Sequence, residues 1–161
     1  MNFRDLYSTV LLRRQRLLEA CLGLPGSILN RTDFGLSQRN LIGETNTSSI
    51  LDVLNQLFQG EDYWLRVTLE REKSVYPIGG FGTVEELIVA FKTHQGSLLL
   101  LTGMGPEGGW GETFTLPDTL EISYSAEIIF VQYLCNEWRS WGMAQQLFLL
   151  NGIEPPILEL I

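Results

Sequence analysis

The hydrophobic and polar positions divide this chain into helix-period and strand-period stretches. From Phe3 to Leu22, apolar residues at Phe3, Leu6, Tyr7, Val10, Leu11, Leu17, Leu18 and Cys21 form one stripe at the helical period. The pattern predicts a helix with Asn2 as N-cap, Gly23 as the C′ residue and Pro25 as a stop. Arg14 projects from the centre of that stripe, with Leu12 on the opposite side. An unpaired buried charge is too costly, so Arg14 either snorkels past the helix or pairs with a carboxylate of a sheet. The alternative is that the stripe is partly an interface, with Arg14 facing a second copy of the chain.

Residues 26–45 lack periodicity and are rich in Asn, Ser, Gly and Arg, which predicts a long connection with one short strand near Ser27–Leu29. A second helix follows, with Ile50, Val53, Leu54, Leu57 and Phe58 on one face, Ser48 or Ser49 at its start and Gly60 at its end. Tyr63 to Arg71 then alternates, Tyr63, Leu65, Val67 and Leu69 on one side and Trp64, Arg66, Thr68 and Glu70 on the other, as a half-buried strand does. A polar turn at Glu72-Lys73-Ser74 and a short strand from Val75 to Ile78 complete a hairpin whose Pro77 suits an edge.

Thr83 and Glu86 make a capping-box pair for a third helix, which buries Val84, Leu87, Ile88 and Phe91 and closes at Gly96 with His94 in its last turn. Ser97 to Thr102 is a continuous apolar run between glycines and reads as a central strand buried on both faces. Glu112 to Leu116 reads as its partner and Thr119 to Tyr124 as a third strand. From Ser125 to Trp141, Ile128, Phe130, Val131, Leu134, Cys135, Trp138 and Trp141 fit a broad helical arc, and length favours helix over a buried strand. Met143 to Leu150 is a further helix or an edge strand, and Pro155-Pro156 begins an extended tail. The expected architecture is a single α+β domain over residues 1–161, with a mixed or antiparallel sheet packed against about four helices and the N-terminal helix first.

Charge narrows the partners. Residues 1–40 hold six Arg against three carboxylates, whereas the other 121 residues hold sixteen carboxylates against five Lys or Arg, for a net charge of −8. A surface of this sign repels a phosphate backbone, so nucleic acid is excluded as a partner for most of the molecule and a basic protein is favoured. The absence of a basic leader followed by an apolar segment, and of any bilayer-length apolar run, predicts a cytoplasmic protein with no membrane contact. Cys21 and Cys135 lie in apolar patterns and read as small buried residues.

Candidate chemistry is sparse. Gly103, Gly105 and Gly108 have the G-x-G-x-x-G spacing, but Pro106 removes a donor and Gly109, Trp110 and Gly111 delay the helix whose N-terminus a dinucleotide site needs. The Gly79–Gly82 cluster does lead into a helix, yet it lacks the Lys-Ser/Thr ending of a phosphate loop and carries Glu85 and Glu86 in the first turn. One histidine and two distant cysteines supply no familiar metal site or activated nucleophile, so neither a catalytic residue nor a cofactor is expected. Surface recognition remains. Met104 and Trp110 in the glycine loop, with Glu107, Glu112 and Asp118 around them, form the expected contact surface for a basic partner, in the manner of an immunity or antitoxin-type inhibitor of a basic toxin. The competing expectations are a small-molecule-binding or hydrolytic pocket beside the Gly103–Gly111 loop, and a structural homodimer.

Overall fold

In chain order the helices and strands are α1 (Phe3–Leu22), α2 (Gly26–Leu29), β1 (Gln38–Asn40), β2 (Gly43–Thr45), α3 (Ile50–Glu61), a π-helix (Asp62–Leu69), α4 (Val84–Met104), β3 (Thr113–Thr115), β4 (Ser123–Ser125) and α5 (Ala126–Leu150). The structure, a computed structural model, describes residues 2–34, 38–40, 43–45, 48–119 and 121–156. The fold is α+β, mostly helical, with the N-terminal helix first. Its strands form two separate two-stranded antiparallel ladders, β1 with β2 and β3 with β4, the latter in the register Thr113↔Ser125, Phe114↔Tyr124 and Thr115↔Ser123. Helix α1 packs chiefly on α4, and α3 on α5, around a core that includes Tyr7, Leu17, Leu57, Phe58, Leu87, Phe91, Phe130 and Phe148. Parts of the expected 26–45 connection and of the tail after Pro156 lie outside the described residues.

The helix starts follow from local chemistry. The Asn2 side chain accepts from Asp5 N at 3.2 Å, and Ser49 and Asp52 form a reciprocal capping box. At α4 the expected box is displaced by one residue: Thr83 accepts from Glu86 N, but the Glu86 carboxylate reaches Gly82 N rather than the cap itself. The short strand expected at Ser27–Leu29 is instead the single helical turn α2.

Three other strand expectations are overturned. Tyr63–Arg71 does not pair as a strand, because α3 runs without interruption into the π-helix over Asp62–Leu69. Its wide turns are visible in Glu70 N donating to Leu65 O at 2.9 Å and in the Thr68 hydroxyl donating to Tyr63 O at 2.7 Å. Trp64, Leu65 and Arg66 are buried in succession, as are Thr68 and Leu69, which is not the alternation of a strand with one face in solvent. Val75–Ile78 forms no hairpin, since Val75 N donates to Asp62 Oδ1 at 3.0 Å and the next turn is clamped by Asn55, which donates to Phe81 O and accepts from Phe81 N. Side chains of the preceding helix take the place of a strand ladder there.

The apolar run Ser97–Thr102 is the second half of α4, not a central strand. Leu98 and Thr102 are buried while Leu100 is 65 % exposed, so the run is amphipathic at the helical period. A Cβ at Gly96 would meet nothing within 4 Å; the glycine lies on the open side and α4 passes through it, leaving His94 in mid-helix. Leucine-rich sequence prefers helix once a capped first turn has paid for nucleation. The ambiguous 125–150 region is one helix, α5, which also settles Met143–Leu150.

Candidate functional site

Arg14 is the centre of the molecule's electrostatics. Its side chain is 2 % exposed, within the core rather than past it. One guanidinium nitrogen, Nη1, lies 2.6 Å from Glu61 Oε2 at the end of α3, and the other, Nη2, lies 2.6 Å from Glu137 Oε1 on α5. Nη2 also donates to the Tyr133 hydroxyl at 3.0 Å, the Tyr7 hydroxyl donates to Glu61 Oε2 at 3.1 Å, and the guanidinium stacks over the Phe91 ring of α4 at 4.2 Å. The carboxylate partners therefore come from helices, not from a sheet. One residue of α1 thus touches α3, α4 and α5, and its charge is spent inside its own chain.

A second pair lies one turn further along. Arg66 Nη1 donates to Asp62 Oδ1 at 2.8 Å, and the other oxygen of Asp62 accepts from the Ser74 hydroxyl at 2.5 Å. The π-helix matters here, because its extra residue per turn brings Asp62 and Arg66 onto the buried side together with Leu65 and Leu69. Arg13 is also buried, its guanidinium 5.4 Å from the centroid of the Trp141 ring.

The protonation behaviour follows from burial. Desolvation alone would depress the Arg14 guanidinium, but Glu137 and Glu61 hold its pKa well above the ordinary value. Burial pushes the Tyr7 and Tyr133 hydroxyls well up, with Glu61 adding to the first and Glu137 to the second. Burial raises Glu137 against the opposing pull of Arg14, and it pushes the Cys21 thiol up to about 12. His94 is lowered by burial and by Arg66, and its ring meets the edge of Phe58. Tyr7, Arg14, Glu61, Tyr133 and Glu137 are buried and His94 is half-buried, so the network joins the helices to one another, while Arg14 also contributes to the lining of the cavity between α1 and α4.

Sequence reasoning singled out Arg14 but missed Glu61, Asp62, Arg66 and Glu137. The signal was present in part: Glu137 falls on the same helical arc as Phe130, Leu134 and Trp141, and Glu61 follows Leu57 by one turn. A carboxylate on an apolar arc is the complement of an arginine on another. Cys135 is the reverse case, an apolar-pattern residue that is exposed, while Cys21 is buried as expected.

The glycine loop is folded onto the protein. Trp110 is partly buried, its ring centroid 4.2 Å from that of Phe3 and 5.9 Å from that of Phe130, where it covers the joint between the starts of α1 and α5. Glu112 accepts from Gly108 N at 3.0 Å and from the Arg71 guanidinium at 2.8 Å, which hold its carboxyl below the usual range. Met104, at the end of α4, is 82 % exposed, and Glu107 and Asp118 are also exposed. Of the five expected contact residues, three thus face solvent, one is engaged by Arg71 and one packs on aromatic rings. Gly105 has φ +76°, and a Cβ there would lie 2.9 Å from Trp110 Nε1. Gly105→Ala is therefore expected to lower unfolding free energy by about 1–3 kcal/mol, as measured in urea, with Trp110 becoming more solvent-exposed in fluorescence.

A cavity of about 460 Å³ lies between α1 and α4, lined by residues that include Leu11, Leu18, Ile88, Phe91 and Lys92, and none of its lining belongs to the Gly103–Gly111 loop. Among the described residues no group of three or more His, Cys, Asp or Glu is placed to hold a metal ion, and no helix is long and apolar enough to cross a membrane. No family model and no curated protein matches the chain.

Proposed function

We propose that this protein is a non-catalytic, acidic protein-binding module that engages a basic protein partner, in the manner of a small immunity or antitoxin-type inhibitor. The observation that carries this reading is where the charge resides. Among the described residues the buried ionic side chains are Arg13, Arg14 and Arg66 against Glu61, Asp62 and Glu137, three of each sign. They cancel, so this burial hides none of the chain's net charge of −8. A field of this kind steers a cationic surface and repels other polyanions.

Within that field, the end of α4 and the loop after it supply an apolar anchor, Met104, beside the carboxylates Glu107 and Asp118. A flexible thioether adapts to a partner's surface, and acids near it accept Lys or Arg. Trp110 and Glu112 support the loop from beneath and keep it in one shape. The test is capture of the partner on the immobilised full chain, followed by titration at low and high salt. The expected affinity falls at least tenfold from about 50 to about 300 mM NaCl, and Glu107→Lys weakens it further without changing the melting temperature. An affinity indifferent to salt would defeat the proposal.

A further inference from the structure

The cavity between α1 and α4 has a polar end and an apolar end. The two helices run antiparallel: Arg4 Cδ lies 3.4 Å from where a Cβ on Gly103 would sit, and further along α1 the Arg14 guanidinium stacks over the Phe91 ring. Lys92 and Gln95, which follow Phe91 on α4, therefore line the end nearer Leu11, while Ile88 lines the end nearer Leu18 and Leu22. Arg14 and Phe91, both buried, lie between the two ends.

Two observations identify the occupant. The first is charge. Of the charged residues in the lining, Arg14 is committed to Glu61 and Glu137, and the Glu19 carboxylate accepts from Gln15 Nε2 at 2.9 Å. Lys92 is exposed and makes no ion pair with a described residue, and the half-buried Gln95 side chain makes no hydrogen bond to one. An uncommitted ammonium with an amide one turn away on the same helix is a pair of donors for an anion. Glu19 stands towards the other end, so an anion is accepted in one orientation only. The second observation is size. At the helical rise the α1 wall from Leu11 to Leu22 runs about 16 Å and the α4 wall from Ile88 to Gln95 about 10 Å, the length of an extended acyl chain of about ten carbons. A helix, about 10–12 Å across, would fill the 460 Å³ with roughly one turn, so the space suits a small molecule lying along the groove and not a segment of a partner protein.

We propose that the cavity between α1 and α4 binds a free medium-chain carboxylate, with its head on Lys92 and Gln95 and its acyl tail along Leu18, Leu22 and Ile88. The Lys92 ammonium donates to one carboxylate oxygen and the Gln95 amide to the other. The tail covers apolar surface that the chain itself leaves in water, Leu22 being 44 % exposed. No bond is made or broken. The site shares no residue with Met104, Glu107 and Asp118, so it stands or falls independently of the basic partner.

Isothermal titration of the full chain with sodium decanoate tests it, with 1-decanol as the uncharged probe of the same length and octanoate as the shorter one. The expected result is one decanoate per chain with a Kd below about 100 µM. Decanol on the native chain, and decanoate on Lys92→Met, should each bind about fivefold more weakly, as befits one exposed charge pair. Octanoate should bind about tenfold more weakly than decanoate, because two methylenes stay in water. Ile88→Trp, which fills the apolar end, should remove the binding of both decanoate and decanol. Lys92 is exposed and Ile88 only half-buried, so both variants are expected to keep the native melting temperature, which is measured alongside. No decanoate heat up to about 1 mM overturns the proposal. So does decanol binding as tightly as decanoate, or a decanoate affinity that neither Lys92→Met nor Ile88→Trp changes.

Discussion

Arg14→Met is expected to lower the unfolding free energy by about 3–5 kcal/mol, enough to remove a large part of the stability of a domain of this size. Two carboxylates, Glu61 and Glu137, face the guanidinium from separate helices, each 2.6 Å away and fully buried. Truncating the arginine leaves Glu137 without a counter-charge, and Glu61 with only the Arg66 guanidinium 4.0 Å away, in a medium that does not solvate them. The penalty belongs to the charges left behind, not to the attraction lost. The triple variant Arg14→Met, Glu61→Leu, Glu137→Leu is therefore expected to recover most of the loss, since a buried ion cluster exchanged for apolar side chains of similar size is often close to neutral. Denaturant midpoints of the wild type, the single variant and the triple variant measure this. A single variant within about 1 kcal/mol of wild type would show that the network is not sealed from water.

Alkaline unfolding is the second large effect. The Tyr7 and Tyr133 hydroxyls are held well above their ordinary pKa by burial and by the neighbouring carboxylates. A group whose folded pKa lies above its unfolded value contributes stability that is complete below the unfolded value and is lost as pH rises towards the folded one. For each tyrosine the loss begins near pH 10 and proceeds at about 1.4 kcal/mol per pH unit, because the folded state keeps a proton that the unfolded chain has released. Cys21, buried beside this core with its thiol raised to about 12, adds a loss of the same sign that begins near pH 9. Urea titrations between pH 8 and 11.5 should show stability falling with steepening slope. Tyr7→Phe with Tyr133→Phe should flatten the part above pH 10, and an unchanged slope in that variant would assign the loss to other groups.

The first effect grows from a residue that the sequence marks plainly. Arg14 breaks an otherwise clean stripe, and the demand that such a charge be paired is elementary electrostatics. What no local pattern contains is the identity of the partner. Glu61 is separated from Arg14 by 47 positions and Glu137 by 123, and only the packing of α1 against the other helices joins them. The same holds for the Asn55 clamp on Phe81 and for Val75 N on Asp62.

The five residues proposed for partner contact divide in the structure. Met104, Glu107 and Asp118 are exposed, but Trp110, the most prominent residue of the loop in the sequence, packs on Phe3 and Phe130. The exposed tryptophan is Trp138, which helical periodicity had placed on a broad apolar arc without saying which part of that arc faces the core.

Amphipathic spacing, caps and charge sufficed to determine the N-terminal helix, the starts of α3 and α4, the extended segment at Thr113–Thr115 and the acidic character of the molecule, because each of these is written within a few neighbouring residues or in their sum. Tertiary structure decided the state of Tyr63–Leu69 and Ser97–Thr102. Alternation and an apolar run suit strand and helix equally in isolation, and the choice fell to the continuing helix that buries Leu65, Leu69, Leu98 and Thr102 against its neighbours. It also decided which charges vanish into the interior and which remain outside, since burial is a property of what lies opposite a residue and not of the residue itself.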